Sequence, residues 1–381
     1  MNACKENPFK YLRRKSNNLP FEDSIVRNWY IARAYVEQML GEIAFAQDSE
    51  EFLHVIVPND MPRMLFLIRQ FALSSHFINF REEMGYNAAR TLITIISDNP
   101  AIKQELEKEE YLCNLPKYCN YIDTSQGIKR TDSYIDIEIH VEKKCPDIPS
   151  KNTIVLNQES VDVFFNQYNS TPDEDDIFKV DTRKAVLTSR IYDLGAEIQN
   201  LPAIDIHCAK RYALALDIFQ HEKLKPMPPN MVDDTKWREM SLCRIKESIS
   251  NILCSDCFNS RQRSVKLCSI KSNAAIPRTW ERYNEALSRS EHARWTVEKL
   301  ILGYRPLNEE ERYYDEFLHA QFNNKAKKKV FRDGLKRNDS DPAHIDLCSY
   351  ADLRRINPDD MKYDSFLMLA IPMILAKVDG A

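Results

Sequence analysis

The sequence predicts an α/β protein in which a doubly wound, mostly parallel sheet precedes a small, mainly helical C-terminal domain. Two observations support this prediction. Between residues 53 and 168, short apolar runs rich in β-branched residues alternate with amphipathic helical stretches, which is typical of strands that pair in parallel through helical crossovers. Beyond residue 275, the clearest signal is instead a long helical pattern over 280–304.

The predicted elements follow one another in a regular order. We predict helices over 23–46, 61–73, 101–111 and 160–168, and strands over 53–57, 91–96, 134–141 and 153–156. In 134–141 Ile alternates with polar residues, which predicts a strand with one buried face and one solvent face. Further helices are predicted over 182–198, 206–220 and 233–264, and the break at 275–277 is the predicted domain boundary.

The composition excludes several classes of protein. A formal net charge of −4, from 53 basic and 57 acidic side chains, supplies no overall positive field for general nucleic-acid binding. The longest apolar stretch, 366–375, contains Pro372 and is too short to span a membrane, and we expect no secretory leader because no apolar run follows the basic residues at the start. With ten scattered cysteines, we expect a cytoplasmic protein with reduced thiols.

Motifs for cofactors, metals and catalysis are absent from the sequence. Only seven glycines occur, and no GxGxxG or P-loop pattern is present. The turn after the first predicted strand is Pro58-Asn59-Asp60-Met61, without glycine. Cys254 and Cys257 form a single CxxC pair rather than the two close pairs usual in zinc sites. We therefore expect no cofactor, no metal and no enzymatic activity, since no nucleophile accompanies a base.

The stretch 280–304 presents two faces when it is placed on a helix. One face is apolar and the other carries Glu291, His292, Trp295, Lys299 and Leu302. An indole supplies a flat stacking surface, while a carboxylate and an imidazole supply hydrogen bonds, so this face can bind a ligand. The same side chains can instead form a buried polar cluster that fastens two helices together.

The string EHARWTVEKLILGYRPL within this stretch resembles the signature helix of the ryanodine-receptor repeat (RyR) domain. The resemblance continues downstream through AHIDLCSYADL and 362–372. Upstream, 237–267 resembles the linker that joins this domain, in bacterial proteins, to a Rossmann-like domain of the potassium-channel regulatory type. The whole resemblance implies an N-terminal helical segment over 1–50, a degenerate Rossmann-like domain with its linker over 51–274, and an RyR domain over 275–381.

The resemblance also implies a function. The chain is expected to be a non-enzymatic sensor or regulator, in signalling or phage defence, whose RyR domain binds a small nucleotide-like ligand. The expected ligand-binding residues are Glu291, His292, Arg294, Trp295, Tyr304, His344 and Tyr350. The expected phosphate contacts are Lys328, Lys329 and Arg332 in a basic segment. The alternatives are a protein-interaction or scaffold module and a nucleotide-handling enzyme, and homo-oligomerisation is left open.

Overall fold

A computed structural model describes most of the chain outside 1–23, 170–253, 273–281 and 369–381. The described residues are 24–59, 61–99, 101–108, 112–119, 122–123, 133–144, 150, 152–169, 254, 257–272, 282–322, 325–338, 340–358, 360–361, 364–365 and 368. Their helices are α1 (Ser24–Leu40), α2 (Met64–Ser74), α3 (Ile102–Lys108), α4 (Leu115–Tyr118), α5 (Gln158–Asn169), α6 (Phe258–Ser272), α7 (Asn284–Ile301), α8 (Glu309–Phe322), α9 (Lys325–Lys336) and α10 (Tyr350–Ile356).

A parallel sheet organises the N-terminal half of the described residues. Its strands are β1 (Leu53–Pro58), β2 (Thr91–Ile96), β3 (Ile122–Asp123), β4 (Ile137–Glu142) and β5 (Asn152–Val155). They lie in the order β3-β4-β2-β1-β5, and every pairing is parallel. This confirms the prediction of an α/β fold around a parallel sheet with flanking helices, in keeping with a Rossmann-like core.

The two faces of the sheet differ in polarity. Alternate strand residues, including Val55, Ile93 and Ile139, are fully buried in the main hydrophobic core. The opposite face carries His54, Thr94, Glu138 and His140, which are also buried. The prediction of a solvent-facing side for β4 was therefore wrong, because both sets of its side chains are shielded from water.

The polar face is held together by its own hydrogen bonds, as buried polar groups require. His54 Nε2 lies 2.8 Å from Thr94 Oγ1, and His140 Nε2 lies 3.1 Å from Glu138 Oε2. Arg90 lies 3.5 Å from Glu138 and donates to three backbone carbonyls. Burial lowers the pKa of His54 to about 4, and the nearby His140 adds to this effect, so His54 is neutral at pH 7.

Helix α7 packs directly on the sheet region. It contacts α2 and α4, and its Val297, Leu300 and Ile301 belong to the same hydrophobic core as the strands. The predicted domain boundary at 275–277 lies outside the described residues, as do the predicted helices over 182–198 and 206–220. Among the described residues, no helix is both long and apolar enough to cross a membrane.

The basic segment after α7 folds differently from the sequence expectation. No helix was predicted between 308 and 338, but the described residues of this stretch form the two packed helices α8 and α9. Tyr314 packs its ring edge-on against Phe331 across the pair, with the ring centroids 4.9 Å apart. The many charged residues of both helices hid the helical pattern in the sequence.

Candidate functional site

Four charged side chains form a sealed ion-pair cluster between α6 and α7. Arg294 donates to both oxygens of Glu291 and, at 2.8 Å, to Glu298 one turn further on. From α6, Arg261 Nη2 lies 3.0 Å from Glu291 Oε2. The side chains of Arg261 and Arg294 are fully buried, and those of Glu291 and Glu298 almost fully. We call Arg261, Glu291, Arg294 and Glu298 the sealed cluster.

Electrostatics keeps the sealed cluster charged. Burial alone raises the pKa of Glu291, but Arg294 and Arg261 outweigh burial and lower the pKa to about 2. Burial likewise opposes the charge on Arg294, yet Glu291 and Glu298 hold its pKa well above the usual value. Because Arg261 of α6 pairs with Glu291 of α7, the sealed cluster fastens α6 to α7.

The other predicted ligand-binding residues converge in a row of rings. His292 lies 5.8 Å from Tyr350 and stacks at 6.1 Å on Trp295. Trp295 meets His344 edge-on at 4.9 Å, and His344 lies 6.2 Å from Tyr304. We call these five residues the aromatic row. The sequence prediction thus selected side chains that the fold brings together, although Trp295 and His344 are 49 positions apart in the sequence.

Within this row, His292 is buried and bonded to the protein. Its Nε2 lies 3.0 Å from the carbonyl oxygen of Cys348, so Nε2 carries a proton. Burial works to lower its pKa, but Asp364, whose carboxylate lies 3.6 Å from Nδ1, outweighs burial and raises the pKa. His292 therefore links α7 to the segments around Cys348 and Asp364.

The predicted phosphate contacts lie on α9. Arg332 forms two hydrogen bonds with Asp315 of α8, at 2.7 and 2.8 Å, and Lys328 lies 3.5 Å from the same carboxylate. Lys329 is exposed. Two of the three cations thus help to join α8 to α9.

A glycine turn leads from α7 to a second group of charges. Gly303 has a φ of +85°, which favours glycine. The amide of Gly303 bonds the carbonyl of Leu300, and the amide of Tyr304 bonds that of Lys299, which completes a Schellman motif. The chain then pairs with a distant segment, because Arg305 donates its amide to Pro342 and accepts from the amide of His344.

Arg305 lies at the centre of this second group. The first turn of α8 is a capping box, in which the amide of Glu311 bonds Asn308 Oδ1 and the amide of Asn308 bonds Glu311. The capping carboxylate also accepts two hydrogen bonds from Arg305, at 2.7 and 2.9 Å. On its other side, Arg305 Nε donates to Asp341 at 2.8 Å.

The sheet region is tied to this turn by Asn114. Its side chain donates to the carbonyls of Gly303 and Tyr304, at 2.8 and 3.0 Å, and its amide bonds the carbonyl of Leu300. Asn114 immediately precedes α4, which ends at Tyr118. The C-terminus of α7 and the short helix α4 therefore form one joined wall.

A cleft of about 410 Å³ opens at this junction between the sheet region and the C-terminal helices. Its volume falls within the range of roughly 300–1,000 Å³ that is common for small-molecule sites. We call it the junction cleft, and it is lined by Tyr118, Tyr134, Arg305, Pro306, Leu307, Asn308, Arg312 and Asp341.

The chemistry of the junction cleft suits a planar polar ligand. Tyr134 is half-buried and donates its hydroxyl to the carbonyl of Leu347, and burial raises its pKa well above the usual range, so the phenol is neutral. Tyr118 is 37% exposed, which leaves part of its ring accessible. Among the described lining residues, two aromatic rings, two guanidinium groups and one carboxylate therefore surround the space.

The sequence prediction missed most of this cleft. Arg305 belongs to the string that carried the RyR resemblance, but Tyr118, Tyr134, Arg312 and Asp341 come from four separate segments. None of them lies in a motif. The sequence signal nearest to the cleft was the Gly-Tyr end of α7, which Arg305 follows directly. The predicted residue His344 also lies near the cleft, because its amide bonds the carbonyl of Arg305 and its ring contacts Trp295.

The carboxyl ends of the strands offer a second location. In α/β folds, ligands bind where the strand order reverses, which here is between the neighbouring strands β1 and β5. Arg63 pairs with Asp162 across this region, and Asn59 donates to Ser97 at 2.7 Å. These side chains bond one another in the position where a glycine-rich turn would receive a dinucleotide.

The cysteines of the CxxC pair are buried among protein groups. Cys257 Sγ lies 3.6 Å from the carbonyl of Ser74, and Cys254 lies 3.7 Å from Arg261. Burial raises the pKa of Cys254 well above the usual value, followed by the effect of Glu291. Within the described ranges, no three His, Cys, Asp or Glu side chains form a group that could hold a metal ion.

No protein-family model, curated protein or solved structure matches the chain. The functional interpretation therefore depends on the residues of the chain itself.

Proposed function

We propose that this chain is a non-enzymatic ligand sensor that binds a small, nucleotide-like molecule in the junction cleft. The C-terminal helices serve as the binding domain, as in the RyR family that 291–307 resembles. The observation that carries the proposal is the cleft itself, which combines two tyrosine rings with two arginines at the meeting point of both regions. A base or similar ring system stacks on Tyr118 and Tyr134, and the arginines bind an attached anionic group.

The aromatic row has an indirect role in this proposal. Trp295 is half-buried and contacts His344, whose amide bonds Arg305 in the cleft wall. A ligand that moves Arg305 also moves this segment, so the indole reports binding. Glu291 supports the same wall by pairing with Arg261 of α6, and Arg294 holds the Glu291 carboxylate in place.

A thermal-shift screen of the full chain tests the proposal. Adenine and guanine nucleotides, linear and cyclic, are compared with the corresponding nucleosides. A ligand that raises the melting temperature by several degrees should lose its effect in Tyr118→Ala. The matched control is Tyr313→Ala, because Tyr313 is 73% exposed on α8 and does not line the cleft. Equal shifts in both variants would place the ligand elsewhere, and no shift with any nucleotide would count against a nucleotide sensor.

A protein-interaction module is the second candidate function. Tyr313 on α8 and Val330 on α9, which belong to two packed helices, are each 73% exposed and present apolar surface to water. Sedimentation of the wild type and of Val330→Asp tests self-association through this surface. A dimer that the substitution dissociates favours this candidate, whereas a monomer at all concentrations counts against a second copy of the chain as the partner.

A further inference from the structure

Arg305 is held by two carboxylates that differ in exposure. The side chain of Glu311 is 17% exposed and is fixed by the capping box of α8, whereas that of Asp341 is 57% exposed. The side-chain hydrogen bond from Arg305 lowers the pKa of Glu311, so this carboxylate is ionised at neutral pH. Glu311 therefore fixes the orientation of Arg305 even when its other partner leaves.

Arg312 supplies a second guanidinium on the same wall. Its Nε donates to the carbonyl of Leu307 at 3.0 Å, which directs the group, and the residue is exposed. Among the residues that the structure describes, Arg312 has no ion-pair partner. The cleft therefore holds two guanidinium groups and, in Asp341, one exposed carboxylate bonded to the first of them.

These contacts have a consequence for an anionic ligand. Arg305 and Arg312 attract a phosphoryl group, but Asp341 repels it and already occupies Arg305 Nε. Exposed ion pairs of this kind are weak and exchange readily, unlike pairs that are shielded from water. Asp341 is therefore in a position to be exchanged, whereas Glu311 is not.

We propose that Asp341 is an internal competitor for the anion subsite of the junction cleft. A phosphoryl group of the ligand replaces the Asp341 carboxylate on Arg305 and makes its second contact with Arg312. This inference rests on the proposed function and names the ligand chemistry, which is a phosphate ester or pyrophosphate. It also assigns Asp341 to control of affinity, because the ligand must displace this carboxylate before it binds both arginines.

The segment that carries Asp341 connects the exchange of its carboxylate for a phosphoryl group to the aromatic row. Asp341 is followed by Pro342, whose carbonyl accepts from Arg305, and two residues later by His344, which contacts Trp295. Release of Asp341 loosens one of the contacts that hold this segment to Arg305. The exchange therefore alters the surroundings of the Trp295 indole, which gives an optical signal of binding.

The test is calorimetric titration of the full chain with inorganic pyrophosphate at fixed ionic strength. Asp341→Asn should bind pyrophosphate about fivefold more tightly than the wild type, because a competing exposed carboxylate is removed. Arg312→Gln should weaken binding by about tenfold or more. The matched control is Glu285→Gln, since Glu285 is about as exposed as Asp341 and pairs with Arg354 outside the cleft. The control should leave affinity unchanged.

A second probe identifies the anion and the site. Citrate replaces pyrophosphate to distinguish carboxylates from phosphoryl groups, and comparable affinity for citrate would overturn the assigned ligand chemistry. Tryptophan fluorescence should change with pyrophosphate in the wild type, and this change should be lost in Trp295→Phe.

The inference can fail separately from the proposed function. If Asp341→Asn binds pyrophosphate no more tightly than the wild type, or if neither binds it, Asp341 is not a competitor. A nucleoside without phosphate that still stabilises the chain through Tyr118 would then keep the sensor and remove only the anion subsite. If the nucleoside also fails to stabilise the chain, the result contradicts both the anion subsite and the proposed sensor function.

Discussion

Two groups of arginines and carboxylates, one midway along α7 and one just beyond its C-terminus, differ mainly in their access to water. In the sealed cluster, the side chains of Arg294 and Glu291 are 0% and 3% exposed. In the junction cleft, Arg305 and Asp341 are 17% and 57% exposed. The charged groups are of the same chemical types and the hydrogen bonds are of similar length, yet one group is enclosed by protein and the other borders a cavity.

Burial decides what each group can do. A charge pair that is removed from water cannot exchange partners without leaving a charge unpaired, at a cost of roughly 3–5 kcal/mol, whereas an exposed pair contributes about 0–1 kcal/mol. The sealed cluster is therefore suited to holding helices together, and the cleft group is suited to binding. The predictions below test this division, beginning with the largest effect.

Removal of Arg294 should have the greatest effect on stability. Arg294→Met leaves Glu291 and Glu298 buried with one cation fewer, so we expect the free energy of unfolding to fall by roughly 3–5 kcal/mol. Urea denaturation followed by circular dichroism measures this change. A loss below about 1 kcal/mol would mean that water reaches the cluster and that Arg294 is available to a ligand.

A compensated variant separates charge from packing. Adding Glu291→Gln and Glu298→Gln to Arg294→Met removes the unpaired charges and should restore part of the lost stability, because neutral amides are less costly to bury. Arg354→Met is the matched exposed control, since its pair with Glu285 is more than half exposed. This control should change stability by less than about 1 kcal/mol.

Acid should weaken the sealed cluster next. The pKa of Glu291 is about 2 in the folded chain, below its ordinary value of 4.5. A lowered pKa contributes stability that is present above pH 4.5 and is lost as the pH falls towards 2. The full contribution is about 3 kcal/mol, since one pKa unit corresponds to about 1.4 kcal/mol.

Comparison of the wild type with Glu291→Gln isolates this contribution. Stability is measured by urea denaturation between pH 6 and pH 3, and the difference between the two proteins should shrink as the pH falls. A constant difference over this range would show that Glu291 titrates normally and that the cluster is open to water.

Much of the fold could be predicted from the sequence because local patterns determine it. The strand predicted over 91–96 matches β2, and the one predicted over 53–57 differs from β1 by one residue. In both, runs of β-branched residues end at turn-forming residues, so the signal is strong. The polar face of the sheet could not be predicted, because the cover over His54 and His140 comes from tertiary packing.

The candidate site shows the same limit. Periodicity and the RyR resemblance identified His292 and Trp295, which lie on one helix. They could not distinguish the buried Arg294 from the cleft residue Arg305, because a sequence shows charge but not exposure. Tyr134 and Asp341 come together only through folding. Tests of the site should therefore begin with residues whose side chains border the cleft.

The turn between the two groups should show a moderate effect. Gly303 has a φ of +85°, and a Cβ added there would meet no neighbouring atom within 4 Å. Gly303→Ala should therefore destabilise the chain by about 1 kcal/mol through backbone strain alone. Gly334→Ala on α9 is the control, because it also has open space and lies within a helix, where alanine is favoured.

Denaturation of the two glycine variants checks this difference in sign. We expect Gly303→Ala to lose stability and Gly334→Ala to gain slightly. If Gly303→Ala were as stable as the wild type, the turn would tolerate a different conformation, and the position of Arg305 relative to α7 would not be fixed by it.

The smallest effect on stability, and the largest on binding, is expected from Arg305. Arg305→Gln breaks the pair with the exposed Asp341 and the more shielded pair with Glu311, whose carboxylate stays bonded to the amide of Asn308, so unfolding should become easier by about 1 kcal/mol. The same change removes one of the two guanidinium groups in the cleft. A phosphorylated ligand should therefore bind at least about tenfold more weakly, as measured by calorimetry.

Arg294→Met should show the opposite balance at a temperature where it is still folded, with a large loss of stability and little loss of affinity. If Arg294→Met instead lost affinity while Arg305→Gln kept it, the ligand would contact the sealed cluster, and the original sequence prediction of Glu291 and Arg294 as ligand-binding residues would be the better one.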